Sequence, residues 1–279
     1  MYPAPPGSLV RVDPSPVRIV HLVSRHPSHT PLTPEESKLL SNCKVYVHAH
    51  GPGAWTQECI DYAASLLGLT APPTLLCNSR YTFQNLRLPY GWQSTIIPLP
   101  LRPSYSPYSR YEDREHTSSL VRSGPRPDPK RNWCIYTGRC SPEKNLPALS
   151  HLCSQAGIEL LIATADVPSV SCYHIPWTDD LTRIYNAADF CICTSTSEGG
   201  PIFAAEALLQ GCTVLSTPVG HMPDLLPPAR ILHSLEAVPD ILRRPHSLER
   251  SSEDIILAFH AAKFFASSLL SGFRSRDKS

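Results

Sequence analysis

Two glutamates eight residues apart bracket the stretch of this chain best suited to chemistry on a ligand. In Ser197-Glu198-Gly199-Gly200-Pro201-Ile202-Phe203-Ala204-Ala205-Glu206-Ala207 a glycine-rich turn opens a short apolar helix, directly after the β-prone run Ala188 to Thr194. Gly199 and Gly200 permit a sharp turn and a close approach of backbone to ligand, and Pro201 suits the first helical position. A strand, a tight turn and a helix start aim unpaired N–H groups and the positive end of the helix dipole at one spot. That spot suits a phosphate. Carboxylates only accept hydrogen bonds, so Glu198 and Glu206, about two turns further on, suit hydroxyls instead. A nucleotide sugar carries both, a diphosphate between a ribose and a hexose. Taken alone, the segment is equally well explained by a solvated cap at Glu198 and a helix-surface Glu206.

A second segment weighs against the plainer explanation. Tyr136-Thr137-Gly138-Arg139-Cys140-Ser141-Pro142-Glu143-Lys144-Asn145-Leu146 follows the apolar run Trp133 to Tyr136, turns at Gly138 and enters a helix expected to reach about Ala156. Arg139 brings a planar fork and Lys144 a point charge to the end of a strand, which suits a diphosphate clamp. Ser141 with Lys144 is not an acidic capping box, so capping does not account for the lysine.

In this order the pieces resemble the retaining glycosyltransferases of family 4, also called glycosyl transferases group 1, which have the GT-B architecture. The match covers about 133 to 226 and rests on four segments in register. They are Gly138-Arg139 to Lys144, Leu181-Thr182-Arg183-Ile184-Tyr185-Asn186-Ala187-Ala188-Asp189, Glu198 to Glu206, and Gly211-Cys212-Thr213-Val214. The resemblance implies that Gly138, Arg139 and Lys144 bind the donor diphosphate and that Glu206 binds its ribose. Glu198, with Gly199, Gly200, Pro201 and Ile202, takes the donor sugar. It further puts the turn Thr217-Pro218-Val219-Gly220 and Trp177 near the donor, Trp177 beside the base. His50, at the end of a central strand of the acceptor lobe, would sit close to the reacting sugar. His221 stands where the pattern usually has a second glycine.

Composition agrees with an α/β protein of two lobes. The 25 Lys and Arg balance 24 Asp and Glu, which argues against binding nucleic acid through bulk charge. No run is apolar enough to span a bilayer, and Met1 to Ser15 is too rich in proline for a signal peptide, so a cytoplasmic protein is expected, with peripheral membrane association as the alternative. Ten cysteines contain no Cys-x-x-Cys pair, which disfavours zinc ribbons and redox motifs. His48 and His50 share one face of a strand, but no further ligand spacing supports a metal. No metal and no cofactor beyond the donor, a UDP-sugar or GDP-sugar, is expected.

Strands are expected at Val17 to Val23, Cys43 to Ala49, Pro73 to Cys77 and Thr95 to Pro98, with helices opening at Thr33 and running from Gln57 to Leu67. This alternation argues for a parallel sheet with crossover helices. By resemblance, His50-Gly51, Asn78-Ser79 and Ile96-Ile97-Pro98 are the second half of an acceptor lobe. About sixteen residues, five of them proline, precede the first expected strand, so the N-terminal lobe is expected to be truncated: either the sheet is shortened, the chain is a fragment, or a partner chain pairs with the open sheet edge and supplies the missing part. The expected organisation is GT-B-like, with two Rossmann-like lobes on parallel sheets. Residues 1–101 form the shortened acceptor-side lobe and 102–131 a Pro/Ser/Arg-rich linker, solvated and loose. Residues 132–250 form the nucleotide-sugar lobe, and 251–279 a final helix from Ser252 to about Leu270, capped at Ser251, with a tail.

The activity this implies is transfer of a sugar from a nucleoside diphosphate to a hydroxyl of a glycan or glycolipid acceptor, with retention of configuration. Two other classes compete with it. A catalytically silent nucleotide-sugar-binding subunit would bind donor without turnover, and a nucleotide-sugar epimerase would convert donor with no acceptor present.

Overall fold

The computed structural model describes residues 10–12, 19–23, 35, 43–66, 73–98, 101, 108–122, 124–236, 240–243, 245 and 249–274. The chain divides into two units, Met1–Pro98 with Ser197–Gly200 and Leu99–Thr196 with Pro201–Ser279. Each is built on a five-stranded sheet.

The strands of the first unit are β1 (Val10–Val12), β2 (Ile19–Val23), β3 (Lys44–Ala49), β4 (Thr74–Cys77) and β5 (Gln93–Ile96), and they lie side by side in chain order. From β2 to β5 all pairings are parallel, and β1 is antiparallel to β2. Alternation in β3 turns Val45, Val47 and Ala49 inward, where they meet Ile60 and Ala63 of helix α1 (Ala54–Leu66) and Leu75 and Cys77 of β4. Helix α2 (Arg80–Gln84) starts where the Ser79 hydroxyl accepts from the Thr82 N–H at 3.0 Å. The strand β1 was not anticipated; it pairs antiparallel with β2 and forms one edge of the first sheet. The helix expected at Thr33 lies, apart from helical Glu35, outside the described residues.

In the second unit the strands are β6 (Trp133–Thr137), β7 (Glu159–Thr164), β8 (Tyr173–Pro176), β9 (Phe190–Cys193) and β10 (Thr213–Ser216), all parallel, in the order β10-β9-β6-β7-β8. Every residue of β6, β9 and β10 is buried, as expected for a parallel sheet covered on both faces. Its helices are α3 (Arg110–Ser119), α4 (Leu146–Ala156), α5 (Leu181–Ala187), α6 (Ile202–Leu209), α7 (Met222–Leu225) and α8 (Ser252–Arg274). Helix α4 stops at Gly157, whose φ of 69° is left-handed, while the Ile158 N–H reaches back to the Cys153 carbonyl at 2.9 Å. The Ser251 cap of α8 is present, with its hydroxyl accepting from the Asp254 N–H at 3.1 Å.

The proline-rich stretch 102–131 is not loose throughout. It carries α3, which begins with a capping box between Ser109 and Glu112 and packs on α5. Asp113 of α3 is fully buried and accepts from Arg183 at 2.6 Å and Asn186 at 2.9 Å. Arg114 lies over the Trp133 ring and, with Arg110, pairs with Asp189 at the foot of β9. The Asp189 carboxylate also accepts from the Trp133 N–H at 2.7 Å, so it closes the N-terminal end of the second sheet. Five prolines in the stretch outweighed the helical pattern between them when composition alone was read. Among the described residues no helix is long and apolar enough to cross a membrane.

Candidate functional site

The strand order of the second sheet reverses between β6 and β9. Connections leave these two strands in opposite directions, which opens a crevice at their C-terminal ends where ligands bind in open α/β sheets. Three loops meet there. The Thr194 hydroxyl, past the end of β9, donates to the Lys144 and Asn145 carbonyls at 3.0 and 3.1 Å, and the Thr196 N–H donates to the Glu143 carbonyl at 2.8 Å. The Thr217 hydroxyl, past the end of β10, donates to the Ser195 carbonyl at 2.6 Å.

The loop after β6 carries Arg139 and Lys144. Gly138 has a φ of +131°, which an L side chain rarely adopts, and the buried Tyr136 hydroxyl donates to the Arg139 carbonyl at 2.6 Å. Asp166 accepts from the Cys140 N–H at 2.6 Å. These contacts fix the backbone while the Arg139 side chain stays 80% exposed, 3.9 Å from Glu143. A pair so open to solvent binds Arg139 weakly and leaves its guanidinium available to an anion. Asn145, with φ 52°, turns the chain from the short 3-10 segment Pro142–Lys144 into α4.

Glu206 is the one charged residue on α6, a helix otherwise buried nearly all round. It is half-buried, and that burial raises its pKa while a hydrogen bond from Tyr185 lowers it. The Tyr185 hydroxyl donates to Oε2 at 3.0 Å and lies 2.6 Å from the Thr137 hydroxyl at the end of β6. Burial holds the Tyr185 phenol well above its ordinary pKa, so it remains a donor. Beside them a cavity of about 150 Å³ is lined by Asp179, Thr182, Tyr185, Glu206 and Gln210 with Leu181 and Leu209. A carboxylate in such a place departs from the helix-surface alternative for Glu206 and fits a group that accepts from a ligand. A cavity of about 760 Å³ lies elsewhere, between α4 and the starts of β7 and β8, and none of the expected site residues lines it.

Glu198, Gly199 and Gly200 group with the first unit. The reason for glycine at 199 differs from the one anticipated. Its φ is not left-handed, but an added Cβ would come to 1.8 Å from the His50 carbonyl oxygen and 2.5 Å from Asn78 Nδ2. Asn78 itself donates to the His50 carbonyl at 2.8 Å and accepts from Thr82. His50, just past β3, has an exposed face, stacks on His48 with centroids 5.9 Å apart, and has its pKa lowered by the burial of the remainder. Pro201 is the residue before α6 and not its first member, with φ −70° and ψ 92°, and no side chain caps that helix start. Ile202 opens the helix and is 39% exposed.

Past β10, Gly220 takes the left-handed conformation with φ 58°, whereas His221 has φ −98° and needs no glycine. Its imidazole is buried against Phe264 and Phe265 of α8, neither ring nitrogen has a partner among the described residues, and burial pushes its pKa down to about 4. Trp177 follows β8, the sheet's outer strand, and is 50% exposed. The structure thus gathers Arg139, Lys144, Glu206 and Gly220 on loops and helices at one end of the second sheet, and His50 with Glu198 to Gly200 in the first unit. Thr137, Tyr136 and Thr194 were missed as site residues, and Tyr185 carried no role although it stands in a quoted motif. Their hydroxyls act through geometry that spacing does not reveal.

No family model matches the chain, and no curated protein matches it. Solved structures do. The chain is similar to sucrose-phosphate synthase from Thermosynechococcus elongatus, with a TM-score of 0.66 at 16% identity over 93% of this chain and 73% of that one. It is similar to Anabaena HepE, determined in complex with UDP and glucose, with a TM-score of 0.61 at 13% identity over 93% and 78%. The pneumococcal O-GlcNAc transferase GtfA, in complex with UDP and GlcNAc, gives 0.55 at 13% identity over 86%, and here the chain spans 53% of the other's length. The fold is therefore α/β and GT-B-like, with two Rossmann-like units on sheets that are parallel apart from β1.

Proposed function

We propose that this chain transfers a glycosyl group from a nucleoside-diphosphate sugar to an acceptor hydroxyl, with retention of configuration. The observation that carries the proposal is the convergence of Arg139, Lys144 and the half-buried Glu206 at the strand-order reversal of the second sheet. The C–O bond from the anomeric carbon to the diphosphate breaks, and one from that carbon to the acceptor oxygen forms. The acceptor's proton passes to the departing phosphate. Arg139, Lys144 and the uncapped start of α6 stabilise the charge on the leaving diphosphate, and this positive potential does the work for which a metal would otherwise be recruited. Glu206 accepts from the ribose hydroxyls. Glu198, with the backbone from Gly199 to Ile202, takes the donor sugar, and His50 hydrogen-bonds a hydroxyl of it. Gly138 and Gly220 supply backbone conformations that other residues resist, and Trp177 packs by the base. A UDP-sugar or GDP-sugar as donor, a glycan or glycolipid as acceptor and a cytoplasmic or membrane-peripheral location complete the reading. The likeness to the O-GlcNAc transferase GtfA and to HepE, each solved with UDP and a sugar, supports it.

Calorimetric titration with UDP, GDP and ADP and their sugar conjugates tests the donor site, with Arg139→Ala as control. At least one nucleotide is expected to bind, and Arg139→Ala to abolish it. Failure of the folded chain to bind any of them removes the proposal. A second reading, donor binding without turnover, is favoured by the absence of a strand-order reversal in the first sheet among the described residues. Transfer of labelled sugar to any acceptor, with the product's anomeric configuration read by NMR, separates the two.

A further inference from the structure

We infer that Tyr185, backed by Thr137, is the residue that positions Glu206 for the ribose of the donor. The inference rests on the proposed role of Glu206 and names what makes that role possible.

Glu206 stands on an apolar helix with no charged partner of opposite sign among the described residues, because burial and the Tyr185 hydrogen bond are the influences acting on it. A carboxylate left this way has several rotamers and a reason to take up a proton. Tyr185 restrains both. Its phenol is 2% exposed, it reaches Oε2 at 3.0 Å, and its donor status is secured by its raised pKa. Because the phenol proton goes to Glu206, the Thr137 hydroxyl at 2.6 Å is the donor to the phenol oxygen. Proton direction is thus fixed along the series Thr137, Tyr185, Glu206, and each bond polarises the next.

The three residues come from the end of β6, from α5 and from α6. One carboxylate oxygen is engaged by Tyr185, so the other is left for a ligand. Both Tyr185 and Glu206 line the 150 Å³ cavity. The same hydrogen bond that holds the carboxylate in place also opposes the rise in its pKa that burial causes, and a charged acceptor suits two vicinal hydroxyls. Tyr185 touches Glu206 and acts through it, so it is a positioning residue and not a catalytic one.

A site built to bond hydroxyls rejects an analogue that lacks them, whereas a site merely loosened by a mutation weakens for both. The test compares the affinity of the full chain for UDP, GDP and ADP with that for their 2′,3′-dideoxy counterparts, in wild type and in Tyr185→Phe, Thr137→Val and Glu206→Gln. Near-ultraviolet circular dichroism confirms that each variant is folded. Wild type is expected to favour the ribonucleotide about tenfold or more, Glu206→Gln to reduce the ratio to near one, and Tyr185→Phe to cut it about fivefold while changing dideoxynucleotide affinity less than about twofold. Thr137→Val moves the ratio in the same direction by a smaller factor, and it serves as the second variant should Tyr185→Phe fold poorly. A ratio lost in Glu206→Gln but kept in both Tyr185→Phe and Thr137→Val overturns the positioning role alone. A ratio of one in wild type, or one that survives Glu206→Gln, overturns the ribose role of Glu206 and this inference with it.

Discussion

The two sheets are assembled by different routes. In the second the chain starts at β6, fills β7 and β8 on one side and returns to lay β9 and β10 on the other, whereas in the first β2 to β5 are laid down in one direction. Among the described residues only the second route parts two neighbouring loops, and there side-chain bonds link the segments past the strand ends. Thr194, Thr196 and Thr217 tie the three loops together, and Thr137 and Tyr185 hold Glu206. The described part of the first unit has a packed core under α1 and a cluster of His50, Asn78, Thr82 and Gly199 past its strand ends, held mainly through backbone carbonyls. Side-chain bonds thus organise the loops of the second unit, and backbone carbonyls the cluster in the first.

If that division holds, damage to the closed N-terminal end of the second sheet will differ in kind from damage to its open end. Asp189→Ala removes the carboxylate that Arg110 and Arg114 pair with in a buried site and frees the Trp133 N–H. We expect a loss of about 3–5 kcal/mol in denaturant unfolding, with nucleotide affinity unchanged in the fraction that stays folded. Coupled loss of affinity in that fraction would blur the distinction between the two ends.

His221 gives a pH-dependent version of the same contrast. Its folded pKa of about 4 lies below the unfolded value of 6.5, so the unfolded chain binds the extra proton between those values. Stability is therefore expected to fall as pH drops from about 6.5 toward 4 and to lose nothing further from this group below that, roughly 3 kcal/mol in all. His221→Leu should flatten that limb of the stability curve. An unchanged curve means His221 is protonated without cost.

Arg139→Ala and Lys144→Ala, at the open end, should leave the unfolding midpoint where it is and lower turnover about 10²-fold, the usual cost of removing one charge aimed at a leaving group. Wild-type turnover in both variants would sink the clamp. A smaller effect is expected from the first unit. Gly199→Ala drives a methyl into the His50 carbonyl, whereas Gly53→Ala meets nothing within 4 Å. The former should cost about tenfold in activity and the latter nothing, a ratio read from parallel assays; equal outcomes would show that the backbone approach at Gly199 is not needed.

The strands of the first sheet were the more legible, since β2 to β5 were all expected whereas of the second sheet only β6 and β9 were; the second sheet was legible instead in the turns that carry its site. Its strands β6 and β9 and its helices α4 and α6 follow from apolar runs broken by Gly138, Gly157 and Gly199-Gly200, and their order carries the fold. By contrast β1 was unreadable, because Val10 to Val12 is too short for alternation to show and prolines crowd around it. Helix α3 was hidden for a related reason: Asp113 and Arg114 read as solvated charges until their partners Arg183, Asn186 and Asp189 are known. The candidate site was legible where it depends on charge and glycine, as at Arg139, Lys144 and Glu206. Where it depends on neutral hydroxyls, as at Thr137, Thr194 and Tyr185, it was not, since those residues declare a role only through what they face.

The most direct measurement is hydrogen exchange by mass spectrometry on the full chain, free and saturated with UDP, GDP or ADP in turn. Binding at the reversal point predicts slowed exchange over residues 137–145, 201–206 and 217–221 with one of the three nucleotides, and unchanged rates in β3, β4 and β5. Protection confined to the ends of β3 to β5, or no protection with any nucleotide, would contradict the account.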